Sequence, residues 1–197
     1  MVPSVILRPA LIAAALLGLA CARPIVVRPP SDRAAREGRM LSAVQRLGEP
    51  GDWLVIRGYH ATDHFVSAVT NAPFSHVAVL DPERNQVIEA EGRGLHATPL
   101  PDFMKKAHRL LLLRPQWATD AARQQAAVAR ARALIGRPYD LPGLVGLNVP
   151  DAYYCSELAV EVYRPFVDRK AHLPPVIPPV EMPTWGTVLW DSGPVVE

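Results

Sequence analysis

Several features that would place this chain in a familiar class are missing from its sequence. Its 21 basic and 19 acidic residues leave a formal net charge of only +2 and are scattered, which excludes the basic surface of a nucleic-acid-binding protein. It has no internal repeat. Its 197 residues are 49% hydrophobic and 20% charged, which indicates one globular domain with a sizeable core. The residue in excess is proline, of which there are 21, gathered near the two ends.

The N-terminus has the pattern of an export signal. Arg8 precedes an apolar run, Ala10–Ala20, that ends in small residues. This run is shorter than the roughly 20 residues that span a bilayer, but it suits the hydrophobic region of a secretory signal. A core helix is the alternative, and the missing polar face and the flanking prolines argue against it. We therefore expect an exported protein, in the periplasm or anchored in the cell envelope at the outer membrane.

Two cleavage sites compete in this signal. Ala20-Cys21-Ala22 is an A-x-A-like site, and cleavage there would discard Cys21. The stretch from Leu17 to Cys21 resembles a bacterial lipobox, with Gly18 where a leucine is expected, and cleavage there would leave Cys21 lipidated. We favour the lipoprotein, which would attach the protein to a membrane through Cys21.

The second of the two cysteines, Cys155, has no partner once Cys21 is removed or acylated. Exported proteins normally pair their thiols, so a leftover cysteine is a candidate reactive thiol. The alternative is a small, buried cysteine with a purely structural role. With Asp151 as the expected N-cap, Cys155 would lie in the first turn of a helix. The helix dipole there favours the nucleophilic thiolate, and a free N–H could stabilise an oxyanion.

Hydrophobic periodicity predicts an α+β fold with an antiparallel sheet packed against the helix that carries Cys155. Predicted strands cover residues 53–56, 76–80, 86–90, 109–115 and 187–190, and predicted helices cover 40–47, 155–164, a segment after Thr62 and a segment between Thr119 and Gly136. The proline-rich tail is predicted as a rigid loop laid over the domain. The chain divides into a signal (1–21), a basic proline-rich tether with a short helix (22–47) and the domain (48–197).

Five of the six histidines are interpreted as ordinary surface or loop residues without a catalytic role. His60 and His64 have the i, i+4 spacing of metal ligands, but no third histidine or cysteine ligand stands nearby, so a loop and helix start is favoured. His96, His108 and His172 stand in polar or proline-rich segments and are expected to be solvated.

His76 is different because it opens a buried strand, where a polar ring needs a partner. If Asp81–Arg84 form the hairpin loop, His76 lies directly opposite Glu89 on one face. That carboxylate would hold the imidazole tautomer and stabilise its cationic form. Glu91, on the same face, is the reserve candidate, and a purely structural His–Glu pair is the alternative.

Four motifs in a fixed order resemble a known family. "GDWLVIRG", "FSHVAVL" followed by "VIEA", "IGRPYD" and "YYCSEL" look like the YiiX/YebB-like permuted papain-fold hydrolases of the NlpC-type superfamily. His76 precedes Cys155, as in the permuted branch and its lecithin–retinol-acyltransferase-like relatives. The resemblance covers roughly residues 48–192 and implies a permuted papain-like fold.

The resemblance also implies roles for individual residues. Cys155 would be the nucleophile of a cysteine hydrolase, His76 the general base and then acid, and Glu89 the residue that orients His76. No metal and no organic cofactor are implied. The expected substrate-binding residues are Tyr139, Asp140 and Tyr154.

Several substrates are compatible with a cysteine hydrolase of the cell envelope. An envelope location favours cell-wall peptide or a related amide. The alternatives are a lipid-acyl hydrolase or acyltransferase of the lecithin–retinol-acyltransferase-like type, and a non-catalytic envelope binding module. The sequence leaves the oligomeric state open.

Overall fold

The computed structural model describes residues 32–59, 73–168 and 173–193. The predicted signal with Cys21, the predicted helix after Thr62, and His60, His64 and His172 lie outside these residues. The helices are α1 (Arg33–Leu47), α2 (Leu100–Lys106), α3 (Ala121–Leu134) and α4 (Cys155–Glu161). The strands are β1 (Trp53–Gly58), β2 (His76–Asp81), β3 (Gln86–Glu91), β4 (Gly94–Pro99), β5 (Ala107–Pro115) and β6 (Gly186–Asp191). Within the described ranges, no helix is long and apolar enough to cross a membrane.

The strands form a six-stranded sheet in the order β4-β3-β2-β1-β5-β6, and every neighbouring pair is antiparallel. The continuous apolar runs of β1 and β5 lie side by side near the middle, because both faces of the sheet are covered there. The predicted α+β class and the antiparallel sheet are confirmed.

Two hydrophobic clusters fill the two faces of the sheet. Alternate residues of each strand point to opposite faces, so Val55, Val77 and Val79 pack with α3 and α4. Their neighbours Leu54 and Leu80 pack with α1 and α2 on the other face. The helices cover the two faces of the sheet, and the candidate site lies at one end of the strands, where β2 begins.

Helix α1 begins at Arg33, well before the predicted start at Met40. The added turns contain the helix formers alanine, arginine and glutamate, and Arg33 pairs with Glu37 at i, i+4 spacing. Met40 and Val44 are buried against the sheet. Part of the predicted tether is therefore helical.

Strand β4 and helix α2 were not expected from the sequence. The segment "GLHATP" lacks clear alternation, but it pairs with β3 throughout. The prediction that His96 and His108 are solvated loop residues was wrong. His96 lies in β4, and His108 is a buried residue of β5.

The proline-rich tail runs over the domain as predicted. Ile177 and Met182 are buried, and residues Pro179–Trp185 form a 3₁₀ helix before β6. The start of α4 fastens this segment. The Ile177 N–H donates to the Tyr154 hydroxyl at 2.9 Å, and the Ser156 hydroxyl donates to the Ile177 carbonyl at 2.5 Å.

Candidate active site

Cys155 is the first residue of α4, and its thiol is free and buried. The N-cap is Tyr154, not the predicted Asp151, which has a left-handed backbone with φ 61° and lies before the helix. The Glu157 carboxylate accepts the Tyr154 N–H at 3.4 Å and so supports the helix start. Cys155 therefore lies closer to the positive end of the helix than predicted.

The His76 imidazole stands between a thiol and a carboxylate. Its Nε2 lies 2.7 Å from Oε2 of Glu89, and the Cys155 side chain lies close enough to the ring to interact with it. Since Nε2 is engaged by the carboxylate, Nδ1 is the ring nitrogen left for the sulfur. The Phe103 ring lies 6.2 Å from the imidazole, centroid to centroid, and packs beside it.

Glu89 reaches His76 along a diagonal of the hairpin, which corrects the predicted register. Glu89 pairs with Ala78, and Asp81 pairs with Gln86 rather than lying in the loop. Continuing that register by two residues would place Glu91 opposite His76. Diagonal neighbours on one face are within reach of long side chains, and the Glu89 carboxylate makes the contact.

The Glu89 carboxylate is fully buried and surrounded by donors. Its Oε1 accepts the Thr98 hydroxyl at 2.5 Å and the Lys106 ammonium at 2.7 Å, and Nε2 of His96 lies 3.4 Å away. Burial alone would raise the pKa of Glu89. The hydrogen bond from His76 and the positive charges of His76 and Lys106 outweigh it and hold that pKa well below its usual range. The carboxylate is therefore an anion at neutral pH.

The thiol and the imidazole shift each other's pKa in opposite directions. Burial lowers the pKa of His76, but the hydrogen bonds and charges of Cys155 and Glu89 raise it well above its ordinary value. Burial raises the pKa of Cys155, but the hydrogen bond and charge of His76, and the Val77 backbone, bring it below its ordinary value. The pair therefore favours thiolate and imidazolium at neutral pH.

Lys106 completes the network and was missed in the sequence. Its Nζ lies 2.7 Å from Oε1 of both Glu89 and Glu91. Burial lowers the pKa of Lys106, and the two carboxylates raise it further than burial lowers it, so the ammonium stays charged. No local pattern marks Lys106, since it ends a helix that the sequence did not predict.

We expect Lys106→Met to destabilise the fold by about 1–3 kcal/mol, because it leaves a buried carboxylate short of a charged donor. Urea unfolding followed by circular dichroism measures the change. Lys105→Met is the matched control, because Lys105 pairs with Asp102 at the surface and its loss should leave the midpoint unchanged. Equal midpoints for the two variants would contradict a structural role for the Lys106 ammonium.

The three predicted substrate-binding residues lie around the start of α4. Asp140 is fully buried, and its carboxylate accepts the N–H groups of Gly143 and Val149 at 2.8 and 3.0 Å. Tyr154 accepts from the tail. In Tyr139, burial and then the charge of Cys155 raise the pKa of the phenol, and burial raises that of Tyr154 as well. Asp140 holds the backbone before the helix, and Tyr154 is the N-cap next to Cys155.

Comparisons with known proteins identify the family and the fold of this chain. Residues 49–172 match the sequence pattern of the permuted papain-like amidase enzymes, the YaeF/YiiX or C92 family. The chain belongs to this family. The crystal structure of metalloprotein YiiX from Escherichia coli O157:H7 has a similar fold, with a TM-score of 0.51 over 61% of this chain and 67% of that chain, at 22% identity. Comparison with curated proteins gives no match.

Membership of the C92 family makes this chain a papain-like hydrolase of the amidase type. The histidine strand precedes the cysteine helix in the chain, as the word permuted implies. The predicted YiiX-like resemblance and the permuted papain-like fold are both confirmed.

One group of the described residues has the atoms of a metal site in this C92 chain. The nearest ligand atoms of His76, Glu89 and Glu91 lie within 4.8 Å of one another. These residues do not fit a metal ion as they stand, because the Lys106 ammonium bonds both carboxylates and Nε2 of His76 bonds Glu89 directly. A cation there would have to displace Lys106.

Proposed function

We propose that this C92 hydrolase cleaves an amide through an acyl-enzyme on Cys155, with His76 as base and Glu89 as the residue that orients it. The observation that carries the proposal is the buried group of the Cys155 thiol, the His76 ring and the Glu89 carboxylate, in which His76 interacts with the thiol and bonds the carboxylate at 2.7 Å. A nucleophile, its base and an orienting anion are the parts that nucleophilic catalysis needs.

The chemistry follows from the charges in this series. The Cys155 thiolate attacks the carbonyl carbon, and the backbone N–H of Cys155, which has no acceptor within the helix, can donate to the oxyanion that forms. The C–N bond then breaks, and the His76 imidazolium gives its proton to the leaving amine. His76, now neutral, takes a proton from water. The resulting hydroxide attacks the thioester carbonyl and the C–S bond breaks, which releases the carboxylic acid and restores the thiolate beside the His76 imidazolium.

Cell-wall peptide or a related envelope amide is the substrate that we propose. One observation favours the second candidate, a lipid-acyl hydrolase or acyltransferase. Exposed apolar side chains occupy residues 141–149, in the segment that joins Tyr139 to the Cys155 helix. A non-catalytic binding module would use the same surface without acylating Cys155.

A comparison of turnover on muropeptides and on phospholipid vesicles tests the proposed substrate. We expect the unsubstituted protein to release amine from muropeptides, and the folded Cys155→Ala variant to release none. Added EDTA should leave the rate unchanged, because no step uses a metal ion. Phospholipid cleavage without muropeptide cleavage would support the lipid-acyl candidate instead, and no Cys155-dependent turnover of either would support the binding module.

Export is proposed from the N-terminal sequence alone. The apolar run Ala10–Ala20 and the lipobox-like stretch before Cys21 support a mature chain that begins at lipidated Cys21, or a free chain that begins beyond Ala22. The intact mass of the protein from native membrane and periplasmic fractions distinguishes the two. A full-length, unmodified chain in the cytosolic fraction would contradict both.

A further inference from the structure

Exposed large apolar side chains are concentrated in one short part of the described chain. We call residues 135–149 the apolar loop. Leu141, Val145 and Leu147 are 67–75% exposed there, and Ile135 and Val149 are each 42% exposed. In the rest of the described ranges, only Val180 and Val188 are exposed to a comparable degree. Several large apolar side chains exposed within 15 residues of chain indicate an interaction surface.

The apolar loop has a fixed shape, so its exposure does not come from local unfolding. The fully buried Asp140 carboxylate accepts backbone N–H groups at both ends of a turn, from Gly143 and Val149. Backbone bonds of 2.9 Å join Arg137 and Gly136 to Leu95 of β4. The framework of the loop is anchored while its large apolar side chains point outward.

The charges of the loop suit an anionic surface. Arg137 and Asp140 are its charged residues, and Asp140 is fully buried while Arg137 is exposed. Arg137 lies 3.7 Å from Asp151, just beyond the loop, and this exposed pair is weak. Arg93, in the turn before β4, is also exposed. An apolar surface with an adjacent arginine and without an exposed carboxylate of its own is the pattern of a segment at the boundary of lipid headgroups and acyl chains.

The loop lies at the end of the sheet from which the predicted tether leaves. Arg137 contacts the start of β4, and the same end carries His76 at the start of β2 and Lys106 just before β5. At that end, Arg33, at the start of α1, donates to the Lys105 carbonyl at 2.7 Å. The 11 residue steps from Cys21 to Asp32 can reach at most roughly 36–40 Å. A lipid on Cys21 would therefore keep this end near the membrane.

We propose that the apolar loop docks on the headgroup and acyl-chain boundary of an anionic bilayer. Leu141, Val145 and Leu147 enter the boundary, and Arg137 lies among the headgroups. The end of the domain that carries Cys155 then faces the membrane surface. This inference goes beyond the proposed function, because it holds whichever bond the enzyme cleaves.

Tryptophan quenching tests the docking on the full chain. The Leu147→Trp variant is mixed with vesicles of phosphatidylglycerol and phosphatidylcholine whose acyl chains carry bromine at defined depths. We expect the brominated lipid to quench the added tryptophan at least twofold. Val188→Trp is the matched control, because Val188 is exposed on β6, and its added tryptophan should be quenched no more than the native ones. Equal quenching in the two variants would overturn the proposal.

Vesicle binding gives a second, independent measurement. In the full chain carrying Cys21→Ser, which cannot be lipidated, replacing Leu141, Val145 and Leu147 by serine should weaken partition to the same vesicles at least tenfold. Serine at Val180 and Val188 should change it less than twofold. The apolar loop could instead be covered by a second copy of this chain, which sedimentation without vesicles tests. A dimer that the triple substitution abolishes would overturn membrane docking. Alkylation of Cys155 should be the same in all these variants, so a failed docking test leaves the proposed chemistry intact.

Discussion

Iodoacetamide is expected to alkylate Cys155 in the folded protein well below neutral pH, and His76→Ala should move the reaction to higher pH. The thiolate is the reactive form, and the pKa of Cys155 lies below its ordinary value although burial opposes this, because the His76 imidazolium lies beside the sulfur. The rate rises as pH passes upward through that lowered pKa. Without His76 the effect of burial remains, and the pKa of the thiol rises.

The expected displacement of the alkylation profile is about one pH unit or more, which corresponds to a roughly tenfold lower rate near pH 6 in the His76→Ala variant. Peptide mapping separates Cys155 from Cys21, and the Cys155→Ala variant provides the blank. Circular dichroism shows whether each variant is folded. A folded protein whose Cys155 resists alkylation from pH 5 to 9, and reacts only when denatured, would identify a structural cysteine.

Glu89→Gln is expected to reduce turnover on the order of 10²–10⁴-fold, the range over which an acid–base group contributes to catalysis. The amide keeps the shape of the side chain but removes the anion that lies 2.7 Å from Nε2 of His76. The imidazolium loses its stabilisation, and Nε2 can meet an amide donor instead of an acceptor. The pH at which His76 loses its proton should also fall, because the imidazolium loses the neighbouring anion.

Glu91→Gln is the matched control for this change. Glu91 also accepts from Lys106 at 2.7 Å, but its side chain is one-third exposed and the carboxylate that contacts His76 belongs to Glu89. We expect its turnover to stay within about threefold of the unsubstituted protein, with the same pH profile. Equal and small effects of the two substitutions would remove Glu89 from the proposed triad.

The sequence predicted His76 and Glu89 as partners although the predicted register was wrong. The hairpin has a four-residue connection, as expected, but it begins at Pro82 rather than at Asp81. The sequence predicts Asp81 in the loop because it opens the turn-rich segment "DPERN", but Asp81 is fully buried in β2, where Arg132 of α3 binds its carboxylate. Asn85 turns the chain with φ 49°.

Displacing a loop by one residue moves the strand pairing by two positions, which keeps every side chain on its own face. His76 and Glu89 therefore lie on the same face in the predicted and in the observed register. They are diagonal neighbours rather than directly opposite partners. Strands β1, β2 and β5 were predictable because their apolar runs are unbroken.

Other parts of the site depend on contacts that no local pattern reveals. His96 and Thr98 surround Glu89 only because β4 pairs with β3, and "GLHATP" contains the glycine and proline that usually mark a loop. Lys106 reaches Glu89 across many residues of sequence. Tertiary packing decides these positions, so single-sequence periodicity could not find them.

The most direct test of the central claim is the mass of the covalent intermediate. The protein is mixed with p-nitrophenyl acetate at neutral pH, quenched in acid and digested, and the acetylated peptide is identified. We predict a burst of about one equivalent of p-nitrophenol and a single acetyl group on Cys155, both absent in the folded Cys155→Ala variant. An unmodified Cys155 peptide, or equal release of p-nitrophenol by the two proteins, would contradict the assignment of Cys155 as the nucleophile.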